Sequence, residues 1–460
     1  MTQLVAPHGA STIAKKLAPQ VGSRWSTPVI YKALQITIVA LTAVFLLTAE
    51  ASLDRARHAT RTIWKDTAPS ILTALELQAL LADLDSLAAN MVLDPDTKTK
   101  SADAFERERL LVSKRLVEAS QNITFGESEK VPLITISEQL GRYLEHIGRV
   151  QLLQEKGDVD GAVKAYRQAT DVMHDKLLPA ARLLDSANAS VMTSVYVEQV
   201  RSTRARELAA FVFGLLLLLL LLGTQVFLIG RTRRLINLPL LMSSWALVVF
   251  LVYLGSLYRR SSNELKVARE DAFQSIQALS TVRAIAYDAN GDESRYLLDR
   301  DRSATYERAF FDKMYQLSST PESTYLPGRG LPKTQFLSGK IAELIANITF
   351  SGEREAIQQV MIELSSYWKT DKKIRQLESA GLPANHKSEV YLCLGESNDA
   401  FTRFDSAIEK AIALNQGEFD RALSSADSSL RTAEMIDPFL AACIAGFAFF
   451  GLRQRLREYD

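Results

Sequence analysis

The stretch from Leu208 to Tyr258, LAAFVFGLLLLLLLLGTQVFLIG-RTRRLINL-PLLMSSWALVVFLVYLGSLY, decides how the rest of the chain is read. It holds two apolar runs, 208–230 and 239–258, joined by a short basic loop, 231–238. Eight consecutive leucines, Leu215 to Leu222, leave the first run without a polar face. A soluble amphipathic helix keeps such a face, whereas a membrane-spanning helix has no need of one. A hydrocarbon core of ~30 Å takes roughly 20 helical residues, and both runs reach that length.

The same signal occurs twice more. Residues 29–48 form an apolar run broken only by Lys32 and Gln35, and 436–452 form a shorter run of 17 residues. The first run does not read as a cleaved signal peptide. It begins far from Met1, follows a polar tail, and lacks a small-residue cleavage site after Thr48. Four membrane helices then divide the 460 residues into a tail (1–28), a long polar segment (49–207), the central loop, a second polar segment (259–435) and a C-terminal tail (453–460). Lys15, Lys16 and Arg24, then Arg231, Arg233 and Arg234, then Arg453, Arg455 and Arg457 mark the tails and the loop as basic. Basic short segments stay in the cytoplasm, so both termini are expected there, in a multi-pass plasma-membrane protein with both polar segments outside. Arg201, Arg204, Arg206, Arg259 and Arg260 pull the other way. Long domains, however, cross largely regardless of charge.

Each polar segment reads as helical. Ile63, Ile71, Leu75, Leu81, Leu84, Leu87 and Met91 recur at helical intervals between Ser52 and Leu93. Pro69 is expected to bend this helix and Asp94-Pro95-Asp96 to end it. Further helices are expected over 102–123, over 130–156, and from Val159 into the second membrane run with a kink at Pro179. At 1.5 Å per residue the first and last reach ~65–70 Å and the middle two only ~30–40 Å. The fold class that follows is an all-α membrane protein with four transmembrane helices and two tandem extracytoplasmic four-helix bundles on two-helix stalks.

The second bundle follows from a repeat. Residues 83–94 align without gaps on 288–299, and Asn122-Ile123-Thr124-Phe125 recurs as Asn347-Ile348-Thr349-Phe350. The markers stand 28 residues apart in the first copy and 48 in the second, and the insertion Ser318–Thr334 covers most of the excess. Repeated markers with matched spacing mean one architectural unit used twice.

A net charge of +1 gives no basic face for nucleic acid. The two cysteines, Cys393 and Cys443, sit in a polar segment and a membrane run, so no intrachain disulfide is expected. Five histidines (His8, His58, His146, His174, His386) are scattered, and no nucleophile elbow, phosphate loop or HExxH occurs. No enzyme activity, cofactor or metal is expected. The most polar string, Asp288-Ala289-Asn290-Gly291-Asp292-Glu293-Ser294-Arg295, begins like a calcium loop but lacks the later ligands. On a helix its i, i+2 acids point apart, so it reads as a polar stretch or kink near the bundle tip. Asp288, Asn290, Asp292 and Arg295, with Asp83 and Asp85 of the first copy, are the candidate contacts for a ligand or partner. Arg231, Arg233, Arg234 and Asn237 are the candidate readout surface, with charge anchoring as the alternative. Asn-Ile-Thr-Phe reads as a structural turn.

With these residues on the page, the chain resembles a family of bacterial double-bundle membrane proteins. The likeness is carried by Leu81-Ala82-Asp83-Leu84-Asp85 with Ala89-Asn90, by Leu177-Leu178-Pro179-Ala180-Ala181, by Arg231-Thr232-Arg233-Arg234 with Asn237, and by Tyr287–Arg295 and Asn347–Glu353. Each bundle is also similar to the four-helix sensory domain of chemotaxis receptors, although no methylated signalling coiled coil follows. The resemblance implies nutrient sensing, in which the state of an extracytoplasmic amino-acid-binding lipoprotein passes to a cytoplasmic Ser/Thr kinase. The expected function is therefore non-enzymatic signal transduction across a lipid bilayer, with a solute-binding protein and a kinase as partners. Self-association is left open. A scaffolding subunit of an envelope complex is the alternative. A transporter accessory subunit is disfavoured on the expectation that the membrane runs offer no carboxylate path.

Overall fold

The computed structural model describes residues 27–62, 68–93, 98–123, 126–232, 237–319, 331, 337–379 and 385–457, and every regular element among them is helical. Asp94-Pro95-Asp96, Thr124, Phe125, Arg233, Arg234 and nearly all of the 318–334 insertion lie outside the described residues. The chain divides into two compact units, one of residues 1–59, 198–262 and 426–460, the other of 60–197 and 263–425.

The first unit is built from α1 (Thr27–Thr62), the C-terminal part of α6 (Leu178–Thr232), most of α7 (Leu238–Lys266) and the end of α13 (Asn398–Leu456). These four helices are long and apolar enough to cross a membrane. Their buried positions recur every seven residues: Tyr31, Ile38 and Phe45 on α1; Ala210 and Leu217, then Leu221 and Leu228, on α6; Leu240, Leu247 and Leu254 on α7. A heptad seam is how near-parallel helices interdigitate. Phe45 meets Phe250 edge-on at 5.0 Å. A Cβ at Gly214 would stand 2.6 Å from Leu251, so this glycine lets α6 and α7 approach closely. The outer faces carry Ile36 (70% exposed), Trp245 (68%), Val252 (68%) and Phe439 (68%). Contiguous apolar exposure on this scale suits lipid and not water.

Polar links also join the helices of this unit: Arg57 on α1 pairs with Asp427 at 3.0 Å and with Glu434, both on α13, and Gln35 donates to the Phe449 carbonyl at 3.4 Å. Asn237 caps α7, its Oδ1 accepting from the Leu240 amide at 3.3 Å while its Nδ2 donates to the Gly451 carbonyl at 2.9 Å. Ser243 donates to the Ile444 carbonyl at 2.8 Å. The fourth run contains Asp437, so the expectation of membrane helices free of carboxylates does not hold. Asp437 is fully buried and neither of its oxygens has a hydrogen-bond partner among the described residues.

The second unit holds α2 (Ala68–Leu93), α3 (Lys98–Gln121), α4 (Glu127–Glu155), α5 (Val159–Val172) and the start of α6 around one core that includes Leu77, Leu84, Ile136, Tyr143 and Tyr166. The bounds of α3 and α4 agree with the sequence reading to within about four residues. Pro69 lies in the first described turn of α2, and the stretch 63–67, through which the expected bent helix would run, lies outside the described residues. At Pro179 the chain passes from a π-turn, Met173–Leu177, into α6. Such a turn takes up a residue that cannot donate to the α-ladder.

A second core gathers α8 (Gln274–Leu298), α9 (Ser303–Leu317), α10 (Lys340–Ala346), α11 (Glu353–Ser379) and the start of α13, with Phe310, Tyr367, Trp368 and Phe404 inside. The short α12 (Asn385–Leu392) enters α13 through another π-turn, Cys393–Ser397. The two cores are not separate bodies. Asn290 donates to Ser86 at 3.1 Å and Ser294 to Asn90 at 2.6 Å, so α2 and α8 run side by side in the same direction. Ile71 and Leu75 extend this contact along Phe273 and Ile276. With 18 of its 26 residues buried, α2 is a central helix with little solvent face.

Asp437→Asn replaces a buried carboxyl that has no hydrogen-bond partner among the described residues with a group of the same shape that cannot ionise. It is expected to stabilise the detergent-solubilised full-length protein by on the order of 1–2 kcal/mol, read as a raised thermal midpoint. A lowered midpoint would show that the carboxylate has a stabilising role.

Candidate functional site

The seam between α2 and α8 is where the polar strings of the two segments meet. Arg295 on α8 is 1% exposed, and its guanidinium is surrounded by carboxylates. It contacts Asp85 at 2.6 Å, Asp292 at 2.7 Å and Asp288 at 3.1 Å. Lys313 on α9 closes the far side, 2.9 Å from Asp288 and 2.5 Å from Asp292. His174, in the first π-turn, approaches Asp288 at 2.8 Å through Nε2, and its Nδ1 lies 2.9 Å from the Thr170 carbonyl. Asp85 also accepts hydrogen bonds from Thr170 at 2.7 Å and Tyr143 at 3.2 Å.

Helical spacing accounts for this convergence. Asp288, Asp292 and Arg295 stand at i, i+4 and i+7, on one face of a regular helix. The i, i+2 acids do point apart, but no kink is needed to bring Asp288 and Asp292 together: α8 is helical throughout the string. Gly291 supplies the room. A Cβ there would lie 2.9 Å from Arg295 Nη1, so the guanidinium can fold across the helix only over a bare backbone.

The charges nearly balance. Three carboxylates, Asp85, Asp288 and Asp292, face two fixed cations, Arg295 and Lys313, and a protonated His174 completes neutrality. Burial pulls the His174 imidazole towards neutrality, but the adjoining Asp288 carboxylate outweighs it and raises its pKa. Burial works against ionised Asp288 too, and is overcome by Lys313, His174 and Arg295, which hold it well below the carboxylate range. The network offers no exposed nucleophile. What it can do is respond as a unit, because every member is held by charges on another helix.

The remaining candidate contacts lie elsewhere along the seam. Asn290, besides its bond to Ser86, accepts from Tyr367 at 3.4 Å. Asp83 lies outside the Arg295 cluster, on a cavity of about 390 Å3 that Asn90, Asn290, Asn398, Asp399 and Asp405 also line. Burial, with the charges of Glu108 and Asp405, pushes the Asp83 carboxyl well above its usual range. Asp405 is taken up by Arg283 at 2.6 Å and by the Tyr287 hydroxyl at 2.9 Å. Nearby on α8, burial and the Asp371 charge push Glu293 up to about 8, while Ser397 donates to it at 3.0 Å.

Comparison with known proteins picks out one half of this arrangement. Residues 59–197 match the family model of an actinobacterial sensor domain. The match covers less than a third of the 460 residues. No curated protein matches the chain, and no solved structure does. The sensor-domain match begins and ends almost where the first part of the second unit does, at Thr60 and Val197. It therefore includes Asp83, Asp85, Thr170 and His174, but not Arg295 or Lys313.

Of the readout candidates, Arg231 is exposed and donates to Thr27 at 3.3 Å. Asn237 is buried as a helix cap. Sequence reasoning passed over His174, Lys313 and Thr170, whose partners lie far away in the chain. It also passed over a grouping of Glu378, His386 and Glu389, for which the spacing His386-x-x-Glu389 on one helical face was the available signal.

Removing Arg295 leaves buried Asp85 without a cation, and leaves Asp288 and Asp292 to share Lys313. Arg295→Ala is expected to destabilise the full-length protein by about 3–5 kcal/mol, seen as a large fall in thermal midpoint. His174 gives a pH dependence. Its pKa is raised on folding, so its stabilisation is full below the unfolded value of about 6.5 and is lost as pH rises through the folded value. Wild type and His174→Gln should differ most in thermal midpoint near pH 6 and converge at alkaline pH. A gap that does not vary with pH would contradict the charged pairing with Asp288.

Proposed function

We propose that this chain is a non-enzymatic transmembrane sensor. It would relay the state of an extracytoplasmic ligand, or of a liganded solute-binding protein, to a separate cytoplasmic partner such as a Ser/Thr kinase. The observation that carries this reading is the sensor-domain match over residues 59–197. In this reading the second unit is extracytoplasmic and consists of two four-helix bundles derived from one repeated plan, and both termini are cytoplasmic. The repeat is supported by the ungapped alignment of 83–94 on 288–299, and by π-turns ahead of α6 and α13 alike.

The relay would use the seam between α2 and α8. Ligand binding shifts an equilibrium only through different contacts in its two states. A seam held by interlocked charges has few intermediate arrangements, which favours a switch over gradual bending. α6 and α13 are single helices with residues in both units, so a displacement of their first turns would be carried along their axes. The cytoplasmic surface is short, and the loop with Arg231, Arg233 and Arg234 is its proposed readout.

The test is a nutrient-shift phosphoproteome in a deletion strain complemented with wild type or with Arg231, Arg233 and Arg234 all replaced by glutamine. The wild type should restore a nutrient-dependent phosphorylation that deletion removes, and the triple variant should fail to restore it at unchanged protein level and topology. Phosphorylation unaffected by deletion, together with loss of a co-purifying envelope complex, would favour a scaffold instead.

A further inference from the structure

Glu378 lies at the end of α11, and His386 and Glu389 lie on α12. One donor atom from each falls within 4.8 Å of the others. His386 and Glu389, three residues apart, share a helical face, and Glu378 meets them from the neighbouring helix. Two features set this group apart from an ordinary surface cluster. Glu389 is 1% exposed, yet its Oε2 has no hydrogen-bond partner among the described residues. His386 Nδ1 is likewise buried and unpartnered, and the two atoms stand 3.6 Å apart. That separation is too long for a hydrogen bond. Glu389 Oε2 and His386 Nδ1 thus face each other unbonded, beside a second carboxylate, Glu378. Each unsatisfied group of this kind is costly.

A divalent cation would satisfy all three donors at once. Zn2+ takes imidazole nitrogen and carboxylate oxygen at about 2.0–2.2 Å in tetrahedral geometry, which sets neighbouring donors roughly 3.4 Å apart. The three side chains reach that spacing by closing in on a common centre. The donor set also chooses among metals. Ca2+ wants six to eight oxygens and Mg2+ keeps most of its waters, whereas one imidazole with two carboxylates suits a borderline transition metal. We propose that Glu378, His386 and Glu389 form a binding site for a divalent transition-metal ion, with Zn2+ the best match and the remaining coordination open to water or an incoming ligand. The bound ion would fasten the end of α11 to α12, directly ahead of the π-turn Cys393–Ser397. The site does not depend on the sensing role.

The experiment uses the full-length protein, purified in detergent without a histidine tag, stripped with a chelator and titrated with ZnCl2 against a chromophoric competitor. Co2+ is added separately to read ligand-field absorption. One equivalent of Zn2+ should bind, with a visible Co2+ spectrum of low symmetry. Glu389→Gln and His386→Gln should each weaken Zn2+ by at least about tenfold, and the double variant should lose both signals with its circular dichroism unchanged. If burial of residue 389 makes its variants misfold, Glu378→Gln, on the less buried ligand, must show the same weakening. Absence of saturable binding, or unchanged affinity in His386→Gln and Glu378→Gln, would overturn the site.

Discussion

A guanidinium with 1% exposure is the constraint on which the second unit depends. Withdrawing a cation from water costs several kcal/mol, and the cost is recovered only if every donor finds a well-placed acceptor. Arg295 meets this condition with acceptors on its own helix, Asp288 and Asp292, and on α2, Asp85. Those acids require cations or donors of their own, which come from Lys313 on α9 and from Thr170 and His174 at the end of α5. One buried charge thus fixes the mutual placement of four helices. The apolar cores on either side contribute most of the burial energy, but they tolerate sliding. Charge pairs with fixed geometry do not.

The membrane-type unit solves the opposite problem. Its surface needs no polar cover, and its interior relies on a limited set of directional bonds to choose one packing over another. Seven-residue spacing of Tyr31, Ile38 and Phe45 against Leu240, Leu247 and Leu254 supplies a seam, and Gly214 sets how closely two helices meet. Two polar contacts then fix register between α7 and α13: the Asn237 amide on the Gly451 carbonyl and the Ser243 hydroxyl on the Ile444 carbonyl. A hydrogen bond across apolar helices acts as a pin, because sliding by one residue takes the carbonyl away from its side-chain donor.

Much of this was readable from the amino-acid order. The four apolar runs and the helical periodicity of both polar segments depend on local pattern, and each apolar run lies within a helix, three of which extend well beyond it. The polar residues that matter at the seam were also legible as a conspicuous string. Their consequence was not. Whether Asp288 and Asp292 face water or a guanidinium depends on which helix covers that face, and no local pattern encodes the approach of α2, α5 or α9. The reading also compared neighbours two apart where a helix brings together residues three, four and seven apart. Asp437 shows a different failure, since a single acid in an apolar run leaves the average almost unchanged while dominating the local electrostatics.

The ungapped alignment of 83–94 on 288–299 sets Asp85 opposite Asn290 in the repeat, and Asn90 opposite Arg295. The bond between Asp85 and Arg295 therefore joins two positions that are not equivalent, and neither half carries both partners. Two copies of the first half, brought together along the same seam, would bury a pair of aspartates with no cation to meet them. Two copies of the second would place arginines beside asparagines. In the proposed repeat, the halves differ at the place where likeness would allow self-pairing. That asymmetry disfavours pairing of like halves along the same seam, since neither like pair would match an acid to a cation at these positions.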